Sequence, residues 1–188
     1  MPRKIRISKL TTTVPYDALD SGADGVNSGF KDLRQHPESI AEIPELADSP
    51  ALRRFIEAIN NPGSRFWSLG CEKALSRSDE KPGFPWRLNA YVAVAFALMP
   101  WNASPGHFEA LAARARAYFN ARIPDDATYL DFELYPTNFR DAGVHGFALS
   151  LWFGAYGRNE ADARARWETV ASNLADFFLR EGGAGHEA

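Results

Sequence analysis

Asp131 and Glu133 are the carboxylate pair whose spacing best suits chemistry. Residues 129–135 (YLDFELY) alternate apolar and polar, so both acids fall on one face of a strand, about 7 Å apart at Cα. Two carboxylates so placed could hold a divalent cation for phosphodiester hydrolysis. The restriction-type pattern also wants a lysine two residues after the second acid, and position 135 is Tyr. Glu72-Lys73 has the wrong spacing for it. Leu130, Phe132 and Leu134 take the opposite parity, so a solvent-facing strand edge explains the acids as well. Segment 136–146 (PTNFRDAGVHG) reads as a long hairpin loop holding Arg140, Asp141 and His145. A His/Asp acid–base pair there is conceivable, although a polar surface loop is the simpler account. A small metal-dependent hydrolase or nuclease using Asp131, Glu133 and His145 is therefore the alternative reading.

Other reactive patterns are missing from the sequence. His36, His107, His145 and His186 are dispersed, with no i, i+4 pair, and one cysteine excludes a Cys-based zinc site or an internal disulfide. Cys71 sits in a strand-like run, as a small buried apolar residue would. No Ser occupies a G-x-S-x-G elbow. The glycines at 22, 25, 182 and 183 lack phosphate-cradling spacings. No metal and no cofactor is expected.

The parity that pairs the two acids has a second consequence. Tyr129, Asp131, Glu133 and Tyr135 share a face, and Trp152 and Tyr156 share the polar parity of residues 147–156 (FALSLWFGAY), beside Ser150. Aromatic rings among carboxylates suit a binding face for a basic protein, with rings as anchors and acids steering approach. Covering by the amino-terminal segment would bury the same rings, and the sequence leaves both options open.

These residues need a scaffold, and the sequence writes one twice: two extended segments, then an amphipathic helix. The first copy has residues 65–75 and 88–99, then a helix over 104–122. The second has 129–135 and 147–156, then a helix over 159–180. Leu88, Ala90, Val92, Val94, Phe96 and Leu98 share one strand face. Phe108, Leu111, Ala115, Tyr118 and Phe119 make one helical stripe, and Ala163, Trp167, Val170, Leu174 and Phe177 another. Ahead of both copies, Ser49-Pro50 opens a helix with Leu52, Phe55, Ile56 and Ile59 on one face. The expected fold is α+β: an antiparallel sheet of about four to five strands, helices packed on one face, and a possible ββα duplication.

The 188 residues fit one domain: an irregular segment 1–48, a core 49–181 and a loose tail 182–188. Residues 1–14 read as an edge strand or arm. Their four basic residues are a weak nucleic-acid signal, and none is expected as a partner. No apolar signal region or run of 18 apolar residues occurs, so neither export nor membrane insertion is expected, and a reducing, cytoplasmic setting is. The sequence assigns no oligomeric state. Residues 1–124 carry 16 basic and 13 acidic side chains, and residues 125–188 carry 5 and 11. An acidic last third favours a basic partner, while a solvated acidic surface is the commoner origin of a shift this small.

YLDFELY, FALSLWFGAY and the acidic balance of residues 125–188 give the chain the character of a family group. It resembles the small, acidic, cysteine-poor immunity proteins that bacteria make against polymorphic or contact-dependent growth inhibition toxins. The resemblance spans about the last third. Those families share no motif, so no residue roles carry over. It implies a non-enzymatic protein that neutralises a cognate toxin by covering its active site. The expected contact set is Tyr129, Asp131, Glu133, Tyr135, Trp152 and Tyr156.

Overall fold

A computed structural model describes residues 5–20, 26–27 and 29–183. The chain is α+β. Two short strands, β1 (Arg6–Ile7) and β2 (Thr12–Val14), come first. The two-residue strands β3 (Leu19–Asp20) and β4 (Val26–Asn27) pair only with each other. Short 3-10 turns at Pro37–Glu42 and Pro44–Leu46 lead into α1 (Pro50–Asn60). Then follow β5 (Phe66–Arg77), β6 (Trp86–Phe96), α2 (Pro105–Arg122), β7 (Thr128–Phe139), β8 (Val144–Gly157) and α3 (Glu160–Gly183).

The main sheet has six strands, more than the four to five expected. Its long members run β7-β8-β6-β5, each antiparallel to its neighbour, and β1 and β2 both lie parallel to β7 on its outer side. The extra strands escape sequence reading because two- and three-residue segments show no period. What makes them strands is β7, which lends them a hydrogen-bonding edge. β7 is itself longer than its sequence suggests, because Pro136 does not break it. Leu134 turns its carbonyl toward β1, accepting the Ser8 N–H at 2.8 Å. Pro136, two residues on, turns the same way, into the interval between β1 and β2. Its missing N–H therefore removes no bond to β8.

The expected loop over 136–146 is accordingly a tight connection. Pairing continues to Phe139↔Val144. Only Arg140–Ala142 and Gly143 turn the chain, and Gly143 takes a left-handed φ of 64° that suits glycine. β6 stops at Phe96, so Leu98 leaves the expected strand face and is exposed.

All three helices pack on one face of the sheet. The stripes Leu52, Phe55, Ile56 and Ile59 of α1 and Ala163, Trp167, Val170, Leu174 and Phe177 of α3 are buried there. They meet Leu88 to Phe96 in alternation, Leu130, Phe132, Leu134, Leu149, Leu151 and Phe153. Each large apolar side chain so buried contributes roughly 1.5–3 kcal/mol. On α2, Phe108, Leu111, Ala115 and Phe119 are buried and Tyr118 is half-buried.

Helix starts depend on tertiary partners. Ser49 does not cap α1. Its hydroxyl donates to Glu168 Oε1 of α3 at 2.9 Å, and Glu168 Oε2 accepts the Ala51 N–H at 3.1 Å. Ser104 likewise makes no side-chain cap on α2. On α3 the cap is local: Asn159 Oδ1 accepts the Asp162 N–H at 2.9 Å, while Asp162 accepts the Arg158 N–H at 3.0 Å. Gly182 and Gly183 belong to α3 rather than stopping it. The rest of the expected loose tail, 184–188 with His186, lies outside the described residues, as do 21–25.

Candidate functional site

The sheet face opposite the helices holds the whole contact set expected from sequence. Its composition follows from parity: Arg87, Asn89, Tyr91, Ala93 and Ala95 of β6 face away from the helices, with the odd-numbered residues of β7 and the even-numbered residues of β8. The face divides in two. Toward the amino-terminal segment, Val14, Leu69, Ala95, Phe139 and Ala148 form a second buried cluster with Phe30, Trp67 and Met99 packed on it. The other half carries Tyr129, Asp131, Tyr156, Trp152 and Tyr91, all half-buried. The amino-terminal segment thus covers one part of the face and leaves the expected contact residues outside the cluster it buries.

Register brings the open half into order. Glu72 pairs with Tyr91, Tyr91 with Trp152, and Trp152 with Asp131. Two aromatic residues therefore stand between two carboxylates in one row across four strands, about 14 Å long. The Tyr91 and Trp152 rings are 5.0 Å apart. In the next row Ala93, Ser150 and Glu133 are aligned, and beyond it Ala148 faces Tyr135. The small side chains leave a groove of about 900 Å³. It is bordered by Tyr91 and Trp152, by Thr12, Val14 and Tyr16, and by Tyr135.

The members of the expected set differ in what they can offer. Glu133 is nearly buried, ion-paired with Arg6 at 2.8 Å and accepting the Tyr135 hydroxyl at 2.8 Å. It ties β1 to β7 rather than standing free. Tyr129 donates to Asn89 Oδ1 at 2.6 Å and lies flat over Gly154, where any Cβ would overlap its ring. Tyr156 donates to Glu80 at 2.6 Å, and Glu80 also holds Arg87. Burial pushes every phenol on this face upward, Tyr135 to about 12 with help from Glu133, and Tyr16 to about 12. They stay neutral at physiological pH, and Tyr16, Tyr129, Tyr135 and Tyr156 donate hydrogen bonds. Cys71, at the groove's edge, is pushed up to about 12 by burial and then by Glu45, so it stays a thiol.

The structure does not bring His145 to the acid pair. His145 pairs with Asn138, and Glu133 pairs with Ser150, five residues further along β8. That places it about 17 Å along the strand and on the opposite parity, toward the helix side. Among the described residues, no three His, Cys, Asp or Glu side chains are grouped to hold a metal ion. No described helix is long and apolar enough to cross a membrane.

The charge asymmetry of the sequence is largely matched inside the chain. Arg6, Arg54, Arg65, Lys81 and Arg114 of the basic part pair with Glu133, Asp176, Glu181, Asp126 and Glu181 of the acidic part. Glu72, Tyr91 and Tyr16 are among the groove residues that sequence reasoning left out of its set. Tyr91 has the right parity, but only register aligns it with Trp152 and Glu72.

Comparison with known proteins finds no match, neither to a protein family, nor to a curated protein, nor to a solved structure.

Proposed function

We propose that this chain is a non-enzymatic protein-binding module whose outer sheet face engages a cognate basic protein. In keeping with the immunity-protein resemblance, that partner is a bacterial toxin whose active site it covers in the cytoplasm. The observation that carries the reading is the cross-strand row Glu72–Tyr91–Trp152–Asp131 on the open half of the face. Rings on a rigid sheet lose little conformational entropy on binding and serve as anchors, and flanking acids raise the rate of encounter with a basic surface. Tyr129, Tyr135 and Tyr156 extend the surface, and Glu133 supports it from beneath. The ββα duplication is part of this proposal. β6 and β8, the second strands of the two hairpins, lie side by side at the sheet centre, as two related units would.

Co-expression with the product of the gene immediately upstream tests the reading. A stable one-to-one complex that relieves growth inhibition is the expected result, weakened at least about tenfold by Trp152→Ala or Asp131→Lys. A chain that neither co-purifies with nor protects against that product removes the proposal. Full binding by both variants moves the contact to another face.

A further inference from the structure

The groove has a chemistry of its own. Its borders combine aromatic residues with carboxylates: Tyr16, Tyr91 and Trp152 line it together with Glu45 and Glu72. Glu72 is exposed and Glu45 half-buried, and the ion pairs among the described residues engage neither. Lys31, the basic residue among those lining the groove, is held by Glu42 at 2.6 Å. The negative field reaches the rings, since Glu72 and Glu45 both add to the burial that raises the Tyr91 phenol. A cation over an aromatic face gains from the ring quadrupole, and a carboxylate beside it adds a charged hydrogen bond. Guanidinium fits both demands better than ammonium, because it is planar, stacks on rings and forks onto a carboxylate. A groove of about 900 Å³ exceeds one side chain, so the segment carrying it has room beside it.

We propose that the groove receives an arginine side chain carried by an extended segment of a protein partner, stacked on Tyr91 and Trp152 and paired with Glu72. This names the partner chemistry of the proposed protein-binding face and rests on that reading. Its test uses a small probe and needs no partner. Acetyl-Gly-Arg-Gly-amide is titrated into the full chain, with the citrulline analogue as an uncharged isostere. Binding is followed by the NMR signals of the Trp152 indole, assigned with Trp152→Phe, and of the β6 and β8 amides.

The expected result is a saturating shift confined to the groove, in the millimolar range for so small a probe. The citrulline peptide should bind at least about fivefold more weakly. Glu72→Gln alters an exposed side chain and should leave folding intact, yet weaken the arginine peptide by a similar factor and bring the two peptides level. Tyr91→Leu should abolish the shift, with its thermal midpoint measured alongside. Equal binding of the two peptides, shifts centred elsewhere, or no saturation overturns the proposal. Probe binding without a toxin complex would defeat the immunity reading and leave this site standing. A toxin complex insensitive to Glu72→Gln and Tyr91→Leu would do the reverse.

Discussion

Two acids that look equivalent in YLDFELY do different work, and substitution should separate them. Glu133 is nearly buried between Arg6 and the Tyr135 hydroxyl. Placing a lysine there sets like charge against Arg6 in a desolvated position. We expect Glu133→Lys to cost about 2–3 kcal/mol in urea unfolding. Asp131→Lys, on a half-buried site, should cost less. Similar losses for both would mean that Arg6 does not anchor β1 through Glu133. A third carboxylate contributes to the acid limb. Asp162 is held down to about 2, first by the Arg158 backbone N–H and then by the Arg158 and Arg166 side chains, against an ordinary 3.8. A depressed folded pKa gives stability that is present above the unfolded value and lost as pH falls through the folded one. Between about pH 4 and 2 the parent should therefore lose stability that Asp162→Asn has already lost. Urea midpoints across that range should converge on acidification. Parallel curves would show that the cap contributes nothing.

At the level of elements, α1 begins where α3 allows it to. Glu168 accepts both the Ser49 hydroxyl and the Ala51 N–H, replacing the local cap that Ser49-Pro50 suggests. Glu168→Ala should cost about 1–2 kcal/mol. Because the serine's hydrogen bond is made to Glu168, Ser49→Ala should cost much less in the Glu168→Ala background than alone. Additive losses in that double-mutant cycle would return the cap to Ser49. The case also shows what sequence can reveal. The helices and four long strands were legible, since each carries enough apolar residues at period 3.6 or 2 to reveal its buried face. So was the shared face of Tyr129, Asp131, Trp152 and Tyr156, which depends on parity alone. Properties set between distant residues were not legible: the parallel docking of β1 and β2, the tolerance of Pro136, Glu168 as cap, and the register that lines up Glu72 and Tyr91 with Trp152. The acidic last third looked like a surface feature because its partners, Arg54, Arg65 and Arg114, lie far away in sequence.

At the scale of the molecule, the sheet separates two cores of unequal size. The helix-side core takes in residues from all three helices and the long strands. The smaller cluster on the other face depends on the amino-terminal segment for Val14 and Phe30. That segment is held by short parallel pairings to β7, the Arg6–Glu133 pair, the Thr12–Thr137 hydroxyl contact at 3.0 Å and the Tyr16 hydroxyl on Leu69 O at 3.0 Å. Ile7 and Leu10 on it stay exposed. Few buried apolar contacts per residue mean a low free energy of local opening. Native-state hydrogen exchange should therefore show Ser8 and the amides of β2 opening well below the global free energy. Those of β6 and β8, central in the sheet, should exchange only on global unfolding. Thr12, Val14 and Tyr16 also form one border of the groove, so the same opening widens it. A partner seated there should slow exchange in β2 even where it makes no direct contact with those amides. Equal protection of β2 and β6 in the free chain would instead mean that the two cores unfold as one, and that the groove is a fixed slot.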